Sequence, residues 1–567
     1  MRRNLRLPFA VIPIVLLVLL QGGYLPSAYA THPTDLWKPS GPYMGKILVQ
    51  VYADELAEFN DFEAGNLDLT DWPVNPNLEV RYGSNPAMHL TSPVGELGMF
   101  DIEFNQANTY WGIPFDYGTS PSGVEMRKAF AHLLDKDSFL TDSSVQGRGQ
   151  KLDNPVPPAQ GLGTPNTAAW DSLHPGTISA YNLAGDSGGV AAPGSPDFCA
   201  ARDHLLQVRS TSGTQVFFDA NSDCIIDSPP ATQLTFYIRN DHQPRLELGT
   251  ALARAIESIF GGADVINEQF ANIQQVADFV FKTAPGTTDW HIYTGGWSLG
   301  AFWDHLYALY HSKFASNECG GKRSSFAQNY IFLCLPSFDV ESEASILANS
   351  FTSSAASALN ALDIFGRQVG TIPVYSSAGR FVYKAGWGGV VNQLGHGTSN
   401  IFSLLNMRPD GSRGDVPAIP DTIRWGFKQG TLRLNIFHAQ TLWEFFILGE
   451  IYDSLLAQNP RNAGQLMDWM TTRHQQFVNP TAAQLGYTPP AGSTTSLRFF
   501  LRNNIFWHDG VPLRAEDVRF TILNYRDVPS ANLFPQVSLV VDVTVVSPLI
   551  VDVHLAGTSI FHELNIG

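Results

Sequence analysis

The sequence predicts an α/β protein of several domains, on three observations. Segments of strand and helix periodicity alternate along the chain. A content of 44% hydrophobic and 12% aromatic residues supplies large cores. The 567 residues, at about 150 per domain, make about three to four core-forming units. A disordered chain is excluded by that composition. Lys and Arg number 35 against 52 Asp and Glu, a net charge of −17, with no basic block to track a phosphate backbone, so no nucleic-acid partner is expected.

In chain order, residues 1–30 read as an export signal. Arg2, Arg3 and Arg6 precede an apolar run over 7–20, and Ala28-Tyr29-Ala30 offers a small-x-small cleavage site. An uncleaved anchor is the alternative, but Pro8 and Pro13 interrupt the run, and a span needs about 18–20 clean apolar residues. Strands are expected at 46–51, 234–238, 432–436 and 496–501. Helices are expected at 124–134 and at 248–260, the latter stopped by Gly261-Gly262. The stretch 154–230, rich in Gly, Pro, Ser and Ala, is expected to be loop-dominated. Another polar stretch, 411–420, separates the middle of the chain from a new strand-helix start at 431–456. Because 561–567 ends inside a structured-looking segment, the chain reads as a piece of something longer.

Four cysteines in an exported chain favour two disulfides over free thiols. Of three possible pairings, Cys199–Cys224 with Cys319–Cys334 closes the shortest loops. Zinc is the poorer reading, since no pair has a C-x₂₋₄-C spacing.

No enzyme signature is found: there is no G-x-S-x-G elbow, no H-E-x-x-H and no phosphate loop. His508 and Asp509 are neighbours, but their side chains diverge along an extended backbone. Trp507-His508-Asp509-Gly510 reads as a turn with Trp507 packed beneath it. Asp219, Asn221, Asp223 and Asp227 imitate the start of a calcium loop. Cys224 then stands where the sharp turn wants Gly, and Pro230 where a bidentate Glu is needed, so calcium is a weak candidate beside a hydrogen-bonded Asx turn. The aromatics Tyr293, Trp297, Trp303, Tyr307 and Tyr310 crowd one stretch, and Trp72 follows Asp68 and Asp71. Such rings can wall a binding cleft or fill a core.

The stretch Trp507-His508-Asp509-Gly510-Val511-Pro512-Leu513-Arg514-Ala515-Glu516-Asp517-Val518 resembles extracytoplasmic solute-binding proteins of family 5, which deliver oligopeptides, dipeptides and nickel to ABC importers. The strand at 497–506 fits the approach to that motif. Gly65 and Asp68 are similar to the family's Gly-x-x-Asp element, the 124–137 segment to its arginine-containing helix, and 289–312 to its Trp-rich cleft strand and following helix. The Trp-His-Asp-Gly motif stands early in the family and last here, an order that a circular permutation would explain.

The resemblance implies a two-lobed, periplasmic-binding-protein-like (type II) α/β fold with an extra small domain. After the signal peptide 1–30, lobe I would take 35–105 and 391–456, lobe II 106–390, and the small domain 457–567. It implies an extracytoplasmic, surface-associated monomer without cofactor or catalysis, which captures peptides between its lobes for an ABC permease. The implied ligand-binding residues are Asp71, Trp72, Asn105, Tyr293, Trp297 and Asp304, with Trp72 and Trp297 closing on the ligand from opposite sides. Peptide-binding members carry an Asp a few residues after the cleft tryptophan, whereas here the first acid after Trp297 is Asp304, seven positions on. Another solute, a sugar or nickel, therefore stays open, as do a secreted carboxylate-dependent hydrolase and a sensory or adhesion module on the same fold.

Overall fold

The computed structural model describes residues 41–52, 54–146, 148–162, 193–281, 290–315, 319, 329–439, 441–528 and 531–567. The export-signal segment 1–30 and Asp289 lie outside them.

Lobe I begins with the strand Lys46–Val51, which pairs in parallel with Thr422–Phe427 from far along the chain. The helix Glu55–Ala64 follows. Asp54 caps it by accepting from Ala57 N at 2.7 Å, and it ends at Gly65 with φ 87°, a left-handed stop that favours glycine. Phe59 and Phe62 of this helix bury against Leu67 and Tyr82. The turn after it is fastened to the central strand by a buried ion pair. Arg424 Nη2 lies 2.8 Å from Asp68 Oδ1 and Nε 3.1 Å from Oδ2, and Nη1 donates to Gly65 O at 2.6 Å.

Lobe II is built on a mixed sheet in the order Val94–Gly95, Thr371–Gly379, Gly98–Phe104, Ile292–Ser298, Leu234–Arg239, Ile266–Ala271, with Gly149–Lys151 pairing Thr371–Gly379. The helix Gln243–Ile259 covers one face through Leu248, Leu252, Ile256 and Ile259, which recur at helical spacing. At Gly249 a Cβ would come within 2.7 Å of Ile238, so glycine permits the close helix–sheet approach. Gly261 and Gly262, both at positive φ, end that segment as expected. In the helix Pro121–His132, Arg127 is fully buried and donates to the carbonyls of Gln368 and Val369, capping the helix Phe351–Gln368.

Two chain segments link the lobes, and they run side by side as one antiparallel ribbon. Met88–Leu90 pairs with Val382–Lys384, Val94 and Gly95 with Gly379 and Ala378, and Gly98–Phe104 with Thr371–Gly379. The strand Gly98–Phe104 therefore belongs to lobe II, and Val382–Lys384 to lobe I. The pairing of this ribbon runs from Met88 to Phe104 on one segment and from Thr371 to Lys384 on the other, short of the expected boundaries at 105 and 390.

The small domain is an antiparallel sheet in the order Thr471–Val478, Thr495–Leu501, Ile550–Leu555, Val540–Ser547, covered by the helix Ala515–Asp527. It touches both lobes. Phe561 packs 5.8 Å from Phe302 of lobe II, and Trp469 packs 6.0 Å from Phe402 of lobe I.

The expected strand at 432–436 is not formed. Glu444, three residues after the Thr441 N-cap, reaches back and accepts from Leu432 N at 2.7 Å and from Arg433 N, so these donors serve a side chain and not a ladder. The stretch 154–230 holds a helix, Pro196–Leu205, which Ser195 caps and Cys199 ties to Cys224 with Cα atoms 4.9 Å apart. The second bridge is Cys319–Cys334. At Asp509-Gly510 the chain turns as expected, Asp509 accepting from Val511 N at 3.0 Å and Gly510 taking φ 86°. Trp507, however, is 36% exposed and not packed beneath the turn.

Asp68→Asn leaves the Arg424 guanidinium buried without its counter-charge and is expected to cost about 3–5 kcal/mol in urea unfolding. Replacing Cys199 and Cys224 together by Ser opens a 25-residue loop and is expected to cost about 3 kcal/mol by the same assay under oxidising conditions.

Candidate functional site

A cavity of about 1620 Å³ lies between the lobes and continues to the small domain. Its lobe I wall includes Asp71, Trp72, Trp425 and Trp443, and its lobe II wall Glu96, Phe100, Arg239, Arg245, Trp297 and Tyr330. Aromatic walls with a few fixed polar groups suit a small or peptide-like ligand.

Trp72 follows the Asp68 turn and stands where the lobes touch. Its ring is 6.0 Å from Trp443 and 5.3 Å from His242 of lobe II, with Lys428 Nζ 3.7 Å from its centre. His242 in turn stacks on Phe100 at 5.0 Å, and Phe100 on Tyr375 at 4.6 Å. The result is a column of rings from one lobe into the other.

Trp297, on the far wall, is held by its indole Nε1 donating to Glu103 Oε1 at 3.0 Å, with Tyr330 donating to the other oxygen of Glu103. Burial raises the Glu103 carboxyl well above its usual range and pushes Asp101, two residues away on the same strand face, up to about 7.

Asp71 lines the cavity beside Trp72, but its Oδ2 is engaged by Trp443 Nε1 and by Lys428 N at 3.3 Å. Burial pushes Asp71 up to about 6 and Glu58, whose Oε1 accepts from Asp71 N, well above the ordinary range. Asp304 also lines the cavity, at the start of the helix His305–Tyr310, and burial pushes it up to about 6.

Two expected site residues stand elsewhere. Asn105 is fully buried beyond the end of its strand, where Nδ2 donates to Trp290 O and Oδ1 accepts from Ala107 N. Tyr293 shares Trp297's face of the strand but lies four residues deeper, at 1% exposure, its hydroxyl accepting from Arg239 at 3.4 Å. Neither lines the cavity. In the calcium-like loop, Asp219 accepts from Ser222 N and Cys224 N and pairs with Arg202, while Asp227 accepts from Ala220 N. The loop is closed by its own backbone as an Asx turn, and Arg202 sits where a cation would be needed. Among the described residues no group of three or more His, Cys, Asp or Glu converges as a metal site.

Sequence reasoning missed His242, Arg245, Glu96, Tyr330 and Lys428, of which Arg245, Glu96 and Tyr330 line the cavity while His242 and Lys428 pack against Trp72. A signal for the first two was present: both stand just past the carboxyl end of a strand in parallel pairing, where open α/β sheets place their sites.

No protein-family model matches the chain, and no curated protein does. Solved structures are similar over part of the chain. The oligopeptide-binding protein AppA from Bacillus subtilis, in complex with a nonapeptide, is similar with TM-score 0.47 and 13% identity, over 63% of this chain and 59% of that one. The ABC transporter-associated periplasmic binding protein DppA from Helicobacter pylori, in complex with the peptide STSA, gives 0.44 and 14%, over 63% and 55%. NikZ from Campylobacter jejuni, in complex with Ni(L-His), gives 0.43 and 12%, over 60% and 56%. The chain thus spans 55–59% of the length of these structures.

Buried acids make the stability of the site region pH-dependent. Burial pushes Glu96 from 4.5 up to about 7. Between those values the folded state holds a proton that the unfolded chain has released, so stability falls as pH rises from about 4.5 through 7 and levels off above. Urea unfolding over a pH series is expected to show this decline, and Glu96→Gln to make it shallower.

Proposed function

We propose that the protein is an extracytoplasmic solute-binding component of an ABC importer, which captures a peptide-like solute between its lobes and performs no catalysis. The observation that carries this reading is the cavity itself: both lobes line it, with Trp72 on one wall and Trp297 on the other. The lobes are joined by a single ribbon, a hinge of the kind that closes over a ligand. The Trp-His-Asp-Gly motif, whose turn rims the same cavity through Trp507 and His508, supports the same reading.

In this arrangement binding energy comes from ring faces and from backbone groups at the cavity edge of the strand Ile292–Ser298, which accept varied side chains. The first acid after the cleft tryptophan, Asp304, lines the cavity. It can meet a ligand ammonium despite its distance in sequence, so a free amino terminus stays within the recognised chemistry. Delivery to a membrane permease, surface retention and a monomeric state belong to the same proposal.

A thermal-shift screen tests it, with mixed di- to pentapeptides, sugars, divalent metals and calcium with a chelator control. A ligand at 100 times its dissociation constant adds about 2.7 kcal/mol, a rise of several degrees. Peptides are expected to raise the melting temperature and to be recovered intact. Trp297→Ala is expected to weaken their binding by about 2 kcal/mol while Trp297→Phe keeps most of it. A response confined to sugars or metals overturns the peptide assignment, and consumption of any ligand overturns the non-enzyme reading.

A further inference from the structure

Asp101 and Glu103 project from the same face of the strand Gly98–Phe104, and both are fully buried. In the pairing with the strand Ile292–Ser298, Gly295 stands opposite Asp101 and Tyr293 opposite Glu103. A Cβ at Gly295 would come within 2.5 Å of Asp101 Oδ1 and of the Glu103 carboxyl carbon, so the bare strand is what lets two acids lie side by side against it. Trp297, two residues further along that face, reaches back across the same gap with its indole to Glu103.

The two acids are served unequally. Glu103 accepts from Trp297 Nε1 at 3.0 Å on one oxygen and from the Tyr330 hydroxyl on the other, whereas neither oxygen of Asp101 has a hydrogen-bond partner. Two carboxylates this close and out of water do not both ionise, so the pair holds one proton at neutral pH. Burial raises both acids, Asp101 up to about 7, and the two donors favour the charge on Glu103. Other groups face the pair from the elements around it. Tyr293 accepts from Arg239, Thr371 stands opposite Glu103 in the ladder, and Arg245 of the helix Gln243–Ile259 bears on both acids as a cation.

An ionised Glu103 gives the indole a charge-assisted bond, about twice as strong as a neutral one. Once Glu103 is protonated, the Tyr330 hydroxyl can turn and accept from it. The indole N–H is a donor only and is left with a neutral acceptor.

We propose that Glu103 is a positioning residue for solute capture: its charge, kept by the proton that Asp101 carries, holds the Trp297 ring on the cavity wall, and solute affinity falls when a second proton reaches the pair in acid. Trp297 and Tyr330 both line the cavity, so the hold acts on the wall itself. This deepens the preceding reading and rests on the cavity being the solute site.

The test joins a ligand-free measurement to a binding one. The indole N–H resonance of Trp297, assigned by its loss in Trp297→Phe, is followed by NMR from about pH 8 down to about pH 4.5, across the raised and the ordinary carboxyl ranges. Affinity for the mixed di- to pentapeptides is followed by melting temperature over the same range. In wild type the resonance is expected to shift in acid, and the peptides to bind about fivefold more weakly there. Glu103→Gln imitates the protonated acid. It is expected to abolish the shift and to bind about fivefold more weakly than wild type at neutral pH, the two converging in acid. That convergence separates Glu103 from the peptides' own termini and from Asp71, Glu96 and Asp304, which line the same cavity. Tyr330→Phe removes one donor from the charge, so the shift is expected at higher pH. If the Trp297 resonance stays put in wild type, or still shifts in Glu103→Gln, the inference falls. If it shifts as expected while Glu103→Gln and wild type bind peptides alike at neutral pH, the positioning role falls and the solute-binding reading stands. Peptides that bind at no pH overturn the peptide reading and this inference with it.

Discussion

Charge removed from water has to be matched, and most of this architecture follows from where the matching is done. Arg424 and Asp68 fix the turn after the first helix to the central strand of lobe I. Lys136 and Asp153 pair at 2.9 Å in lobe II, and Arg498 and Asp552 at 2.6 Å in the small domain. Each is buried or nearly so, and each joins segments that hydrophobic packing alone would leave free to slide. Arg127 does the same work against carbonyls, ending one helix on another. At the lobe junction the matching is incomplete: Arg245 and Lys428 carry buried N–H groups without a hydrogen-bond partner.

The elements that were legible in the sequence are those decided locally. The strands at 46–51, 234–238 and 496–501 and the helices around 124–134 and 248–260 carry their periodicity and stop signals within a dozen residues. The strand expected at 432–436 failed because a side chain at 444 captured its amides, an event no local pattern announces. The strand Gly98–Phe104 takes its sheet from partners at 292–298 and 371–379, far along the chain, which no local pattern announces.

The site divides in the same way. Trp72 and Trp297 were legible as large rings beside polar residues. Tyr293 had the same credentials and sits on the same strand face, yet depth along the strand places it in the core. Arg245 and Lys428 were not legible, because their meaning lies in what is missing around them. An unpaired guanidinium is a property of the assembled junction, and in the sequence Arg245 is one helix-start residue among several.

The ribbon between the lobes has a mechanical consequence. Its two strands are hydrogen-bonded to each other, so sliding one past the other would break the ladder and shift every side chain to the opposite face. Twisting the pair about its long axis breaks nothing, and a β-bulge between Pro373 and Tyr375 already concentrates twist where the ribbon leaves the large sheet. Torsion of the ribbon is therefore the motion that leaves its own hydrogen bonds intact. Arg245 stands in one lobe and Lys428 in the other, so a twist of the ribbon would also change the spacing of two buried charges.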